Sequence, residues 1–403
     1  MTLKNETLLQ LIPRDFQYLT QQKKLQYQTN TQQGVIHLKT EYLIDIISHF
    51  MKKYFYNCKQ ELNFGMHSLL LKQKYGEHYN FYMDWLQSKK FLFMVSNYYS
   101  GVKTKTYQIN NIFLSDVIRY KSYDKILIKK TKKYLLDSIS DGPSPILIDV
   151  RKKLVDNLKY INIDHDGASA FLDTYFDRRK GSKDIEKYKK NKQTIDDIKA
   201  GDMYFVFDTY GRFHTNYTVL KRELRKNFLT INNERLGEID IKNSQPYFLA
   251  LYMKQLDPTI NGSSQNYFDL VKNGLIYEDI MERSIVKDRD DAKDLMIKVL
   301  FDNQDRGDHK WENAIFKELY PSIHAHIREM KAINHKECAH KLQRLESDFL
   351  MNIVIKEIIT TYPELIFFTV HDSIMYPISY DTKVKDIFYK HKKEMDKVLD
   401  RKL

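Results

Sequence analysis

Glu238-Ile-Asp-Ile-Lys-Asn-Ser-Gln-Pro-Tyr-Phe-Leu-Ala-Leu-Tyr252 is the stretch on which the reading of this chain turns. Ile239 and Ile241 alternate with Glu238 and Asp240, the period of a short strand whose polar face carries two carboxylates. Asn243-Ser244 before Pro246 has the form of a helix start, and Phe248, Leu249 and Tyr252 continue at helical spacing. Asp240 is thereby presented at a strand-to-helix junction, where backbone amides and a fixed carboxylate together suit phosphate or metal chemistry. Taken alone, the stretch reads equally as an ordinary strand-turn-helix with a solvated aspartate.

A second carboxylate lies far along the chain, in Leu365-Ile-Phe-Phe-Thr-Val-His-Asp-Ser-Ile-Met-Tyr-Pro377. Two apolar, strand-forming runs meet at His371-Asp372, which predicts a hairpin with an acid at its tip. A His-Asp pair also occurs in helical metal phosphohydrolases, but that class needs further histidines on helices, and the flanks here are β-forming. Between the two acids, Arg289, Lys293, Ile297 and Phe301 recur every four residues and share one stripe of a helix. Two cations followed by an apolar residue and an aromatic suit a triphosphate at one end and a base or sugar at the other. An amphipathic helix with snorkelling Arg and Lys has the same pattern. Two strand-borne aspartates, a cationic helix and a basic body point to two-metal phosphoryl transfer.

The 403 residues allow two or three domains, and 42% hydrophobic residues with a net charge of +12 make a polyanionic partner, nucleic acid first, the natural expectation. Two cysteines, Cys58 and Cys338, are too few for a disulfide framework and form no zinc-finger pattern, which suggests a reducing, cytoplasmic setting. No signal core or long apolar run suggests a membrane. Residues 1–39 are Gln- and Thr-rich and read as an N-terminal arm. Helical patterns over Thr40 to Tyr56, Gln60 to Tyr75 and His78 to Gln87 precede two strand-like runs about a turn at Ser100-Gly101. That is the order of a winged helix over 40–112, with Lys103 and Lys105 on the wing, and equally of a small α+β packing module. Residues 113–200 read as helical, broken at Asp141-Gly-Pro-Ser-Pro and closing in a Lys-rich run from Arg178 that suits either a phosphate backbone or a solvated linker. From 201 to 403 the texture is of strands and short helices.

In order and character these residues resemble the palm and fingers of family A nucleic-acid polymerases, the group of DNA polymerase I and the phage-type single-subunit RNA polymerases. Arg212-Phe-His-Thr is similar to the family's Arg-Ile-His-Thr segment, Asp240 with Ser244-Gln245 to motif A, and the Arg289-Lys293-Ile297-Phe301 stripe to motif B. Gln343 falls where the family keeps a glutamine, and His371-Asp372-Ser373 looks like motif C. The resemblance runs from about Tyr204 to Pro377. It implies an α+β right-hand fold with an antiparallel palm sheet, helical fingers, and a thumb before residue 201. It further implies that Asp240 and Asp372, with the Ile241 carbonyl, hold two Mg²⁺ ions, or Mn²⁺ in their place. Arg289 and Lys293 would bind the triphosphate, with Ile297, Phe301 and Gln245 beside the nucleotide. Arg212, His214, Arg225, Gln343 and His371 would contact the nucleic acid.

The pattern departs from the family in places. Three residues, two more than usual, separate Asp240 from Ser244-Gln245, and Gln245 falls where the family's DNA polymerases carry a Glu that excludes the ribose 2′-hydroxyl. Ile297 replaces an aromatic, Asp302 a glycine, and motif C ends in Ser373 rather than Glu. The only Asp-x-Glu of the first 200 residues, Asp184-Ile-Glu186, sits in the Lys-rich run, so no proofreading site is expected. The expectation is a DNA polymerase that extends a primed template with nucleoside triphosphates, alongside replication proteins. A single-subunit RNA polymerase or primase, and a non-enzymatic DNA-binding replication protein with a relic palm, are the rival readings.

Overall fold

The chain folds into two units. One comprises Met1–Gly142, Asn162–Phe205 and Thr215–Leu229, and the other Pro143–Ile161, Val206–His214 and Thr230–Leu403. A computed structural model describes residues 8–29, 34–56, 63–99, 104–114, 116–140, 144–177, 182–257, 263–303, 310–332 and 334–400. The expected turn at Ser100-Gly101, Lys103, Cys58, the Asp141-Gly-Pro break and the start of the Lys-rich run at Arg178 lie outside them.

In the first unit, β1 (Leu8–Pro13) and a 3₁₀ segment (Arg14–Gln21) lead to β2 (Lys24–Gln28), β3 (Val35–Lys39) and α1 (Thr40–Tyr56). Then come β4 (Asn63–Met66), α2 (Ser68–Tyr75), α3 (Tyr79–Ser88), β5 (Leu92–Ser96), β6 (Lys105–Ile109), β7 (Val117–Ser122) and α4 (Lys125–Ser140). The expectation of an N-terminal arm through residue 39 fails. β1 pairs antiparallel with β7, and Leu11, Ile12, Phe16, Leu19 and Leu38 are core residues. In β1, Leu-Leu-Gln-Leu-Ile-Pro is buried on nearly every side and so carries no alternation in its sequence. The helix expected from Gln60 is shorter, since Asn63–Met66 is a strand that joins the hairpin in a sheet of order β4-β6-β5.

The expected boundary at residue 200 is also revised. α5 (Ile148–Asn157) belongs to the second unit, while α6 (His165–Asp177), α7 (Ser182–Ala200), α8 (Asn216–Val219) and α9 (Arg222–Phe228) belong to the first. Short strands β8 (Ile161–Ile163), β9 (Phe205–Phe207), β10 (Phe213–Thr215) and β11 (Leu229–Ile231) stand at the crossings.

The second unit continues with β12 (Leu236–Asp240), α10 (Ser244–Leu256), α11 (Ser263–Asn273), α12 (Ile276–Arg283), α13 (Arg289–Phe301), α14 (Lys310–Leu319), α15 (Pro321–Lys331) and α16 (Glu337–Ser347). A π-helical stretch (Asp348–Ile355) extends α16 into α17 (Lys356–Thr361). β13 (Phe368–Val370), β14 (Ser373–Pro377) and α18 (Asp381–Asp400) close the chain. β14 is central in an antiparallel sheet of order β12-β14-β13 and is buried throughout. α10 packs against α16 and α18, and the rings of Phe248, Phe349 and Phe388 meet in that core. The architecture is α+β, with small antiparallel sheets among many helices. Among the described residues no helix is long and apolar enough to cross a membrane.

Candidate active site

Register brings the two acids together. β12 runs antiparallel to β14 with Asp240 opposite Ser373, so Asp372 is one residue from the partner of Asp240. Paired Cα atoms lie about 4.5–5.5 Å apart and consecutive ones 3.8 Å, so the two acids' Cα atoms are at most about 9 Å apart. His371-Asp372 is the two-residue turn of the β13-β14 hairpin, and His371 takes φ of 54°. Positive φ at the first turn position suits the twist of a hairpin, at a cost for a non-glycine residue. The Ser373 hydroxyl closes the turn by donating to the Val370 carbonyl at 2.9 Å.

The chain leaves β12 through a bend. Ile241 is buried, and Asn243 sits at φ 53°, just before α10. Asn243 makes no side-chain cap there: among the described residues both polar atoms of its buried amide lack a partner, and the left-handed backbone makes the turn instead. Ser244 and Gln245 open α10 and point to an acid that sequence reasoning did not assign to the site, Glu346 on α16. The Ser244 hydroxyl donates to Glu346 Oε2 at 2.5 Å, Gln245 Nε2 donates to the same oxygen, and Arg212 pairs with Oε1 at 2.7 Å. Gln245 Oε1 is buried with no partner among the described residues. Gln343, one turn before Glu346, is half-buried.

A turn hub sets Arg212. Asp208 Oδ1 accepts from the Tyr210 and Arg212 amides at 2.9 and 2.8 Å, and Asp208 Oδ2 lies 2.9 Å from His214 Nε2. Gly211, at φ 91°, lets this turn close on α16: a Cβ there would stand 2.5 Å from Ser347 Oγ. The His214 ring meets that of His371 edge-on, with centroids 6.3 Å apart. Arg212, His214, His371, Asp240, Asp372, Gln245 and Glu346 therefore occupy one locality. Arg225 does not belong to this unit; it lies on α9 of the first, where its guanidinium donates to the Leu220 carbonyl.

Electrostatics marks the spot. Burial pushes the Asp372 carboxyl up to about 7, Glu346 and Asp240 add like-charge repulsion, and Arg212 pulls in the opposite direction. Among the described residues neither Asp240 nor Asp372 has an ion-pair partner. The carboxyl groups are hard oxygen donors, and a divalent cation between them would relieve this repulsion. Among the described residues no group of three or more His, Cys, Asp or Glu side chains is arranged to hold a metal.

α13 carries the expected stripe outward. Arg289, Lys293 and Ile297 are exposed and Phe301 half-buried, while Ala292, Leu295, Met296, Val299 and Leu300 pack inward. Asp288 caps the helix, accepting from the Asp290 and Asp291 amides. Arg289 pairs with Glu278 at 3.0 Å and stacks over the Tyr277 ring at 5.1 Å. Tyr277, on α12, links the stripe to the acids: burial raises its hydroxyl to about 12, Arg289 opposes the shift and Asp372 adds to it. Compared with known proteins, the chain matches no family model, and no curated protein is significantly similar to it.

Proposed function

We propose that the second unit is the palm and fingers of a template-directed nucleotidyltransferase related to family A polymerases. It would extend a DNA primer with nucleoside triphosphates and would lack a proofreading exonuclease. The observation that carries this reading is a β-register that puts Asp372 one residue from the partner of Asp240, with the Asp372 carboxyl raised to about 7 by burial and by its acidic neighbours. Asp240, Asp372 and the Ile241 carbonyl would hold the two divalent ions. When bound, such ions neutralise triphosphate charge and favour the deprotonated primer hydroxyl.

The chain's own groups supply the rest by positioning. Arg289 and Lys293 present two exposed cations to a triphosphate, and Ile297 and Phe301 continue the stripe toward base and sugar. Arg212, clamped by Glu346 and the Asp208 turn, and the facing pair His214 and His371 suit the primer strand beside the acids. In the first unit, the order α1-β4-α2-α3-β5-β6 with a β4-β6-β5 sheet supports a winged-helix-like module. The reading is tested by extending a labelled primed template with Mg²⁺ and either dNTPs or rNTPs. Product with dNTPs is expected. Product from rNTPs alone without a primer replaces DNA synthesis with RNA synthesis, and no product with either set overturns the reading.

A further inference from the structure

α4 has an inner and an outer face. Leu127, Ile128, Thr131 and Ile139 are buried in the first unit, and Lys130 donates to the Lys74 carbonyl at 2.9 Å while lying over the Tyr42 ring. The outer face is different in kind. Lys125, Lys129, Lys132 and Lys133 line an open groove of 740 Å³, with Tyr123 and Leu136 beside them and Asp137 as its one acidic lining residue among the described residues. None of the four lysines has an ion-pair or hydrogen-bond partner among the described residues. Lysines 125, 129 and 133 follow at i, i+4 and i+8, a row of ammonium groups rising about 6 Å per step. Such a row repels itself, and a polyanion along it relieves the repulsion. Tyr123 and Leu136 are 66% and 47% exposed at the same groove.

We infer that this groove binds a single-stranded nucleic acid, its phosphates on the lysine row and its bases against Tyr123 and Leu136. Regular cations beside an exposed ring are what a strand with unstacked bases needs. An anionic membrane is the weaker fit, because α4 buries its main apolar face in its own unit and offers lipid a concave cationic surface. The inference is independent of the catalytic proposal, since it concerns metal-free binding by the first unit.

The test is fluorescence anisotropy with a labelled 20-nucleotide single strand, full-length protein and EDTA, over a range of salt. The triple variant Lys125→Gln, Lys129→Gln, Lys133→Gln keeps helix propensity. It is expected to bind roughly tenfold or more weakly, with the log–log salt slope shallower by about 2. Tyr123→Ala is expected to weaken binding severalfold without changing that slope. A control variant with Gln at Lys317, Lys336 and Lys393, exposed in the second unit, keeps its affinity within about twofold. The Lys→Arg triple variant at 125, 129 and 133 retains binding, which guards against a folding defect. Asp240→Asn and Asp372→Asn also retain it, whatever becomes of extension. Equal losses in groove and control variants overturn the inference. So does a groove-variant loss confined to duplex, or confined to vesicles of phosphatidylserine and phosphatidylcholine.

Discussion

Two carboxyl groups, Asp45 buried in the first unit and Asp372 half-buried in the second, are treated in opposite ways by their surroundings. Asp45 in α1 is pushed up by burial, yet Lys74 at 2.7 Å, the Tyr75 hydroxyl at 2.6 Å and Gln10 at 3.0 Å bring it below the usual carboxylate range. Asp372 is raised to about 7 by burial, Glu346 and Asp240, and has no ion-pair partner among the described residues. Even Asp197, raised to about 6 by burial and by Asp202, has both oxygens engaged, by Arg119, Gln193 and Tyr56. The first unit uses buried acids to fix packing. The second brings Asp240 and Asp372 to a strand end with no ion-pair partner for either among the described residues, and only Glu346 beside them is paired, with Arg212, an arrangement that sacrifices stability.

The largest contrast is expected in activity. Asp240→Asn or Asp372→Asn is expected to lower primer extension by at least about 10³-fold with the fold intact. Asp45→Asn should do the reverse: it leaves Lys74 buried against an uncharged partner, costs about 3 kcal/mol of stability, and spares the specific activity of the folded fraction. Parallel thermal melts and extension assays read both outcomes. A mutant pattern that does not split this way breaks the comparison.

Stability against pH sharpens it next. Because the folded Asp372 carboxyl titrates near 7 rather than its ordinary 3.8, the folded chain holds a proton there that the unfolded chain has lost. Metal-free stability should therefore fall as pH rises from about 4 through 7. Asp372→Asn should stabilise the metal-free protein at pH 8 by about 1–3 kcal/mol and flatten that fall, as followed by urea unfolding in EDTA. Asp45, whose carboxyl is depressed, loses its contribution only as pH falls through the acid range.

Smaller effects belong to the exposed stripe. Arg289→Ala and Lys293→Ala should each raise KM for the triphosphate about tenfold while barely moving Tm, since exposed cations contribute little to folding. Smallest is Glu346→Gln, which removes a like charge beside Asp372 and should shift the acid limb of the extension pH profile downward by up to about one pH unit.

Much of the candidate site was legible because its pieces are local. Asp240 ends an alternating strand, His371-Asp372 separates two β-forming runs, and the α13 stripe shows its period directly. Glu346 was not assigned, because Arg212, Ser244 and Gln245 reach it from 101 to 134 residues away. One signal existed: Glu346 falls on the apolar face of α16 with Cys338, Ala339 and Leu342, where an acid needs a partner. β1 was hidden for a different reason, since a strand buried on nearly every side carries no alternation to read.

The most direct test of a shared cation site is Mn²⁺ titration, followed by electron paramagnetic resonance, of wild-type protein with primed template and a non-hydrolysable nucleoside triphosphate. Saturable Mn²⁺ binding that is lost on either Asp240→Asn or Asp372→Asn is the predicted result. Unchanged Mn²⁺ affinity in either variant would contradict it.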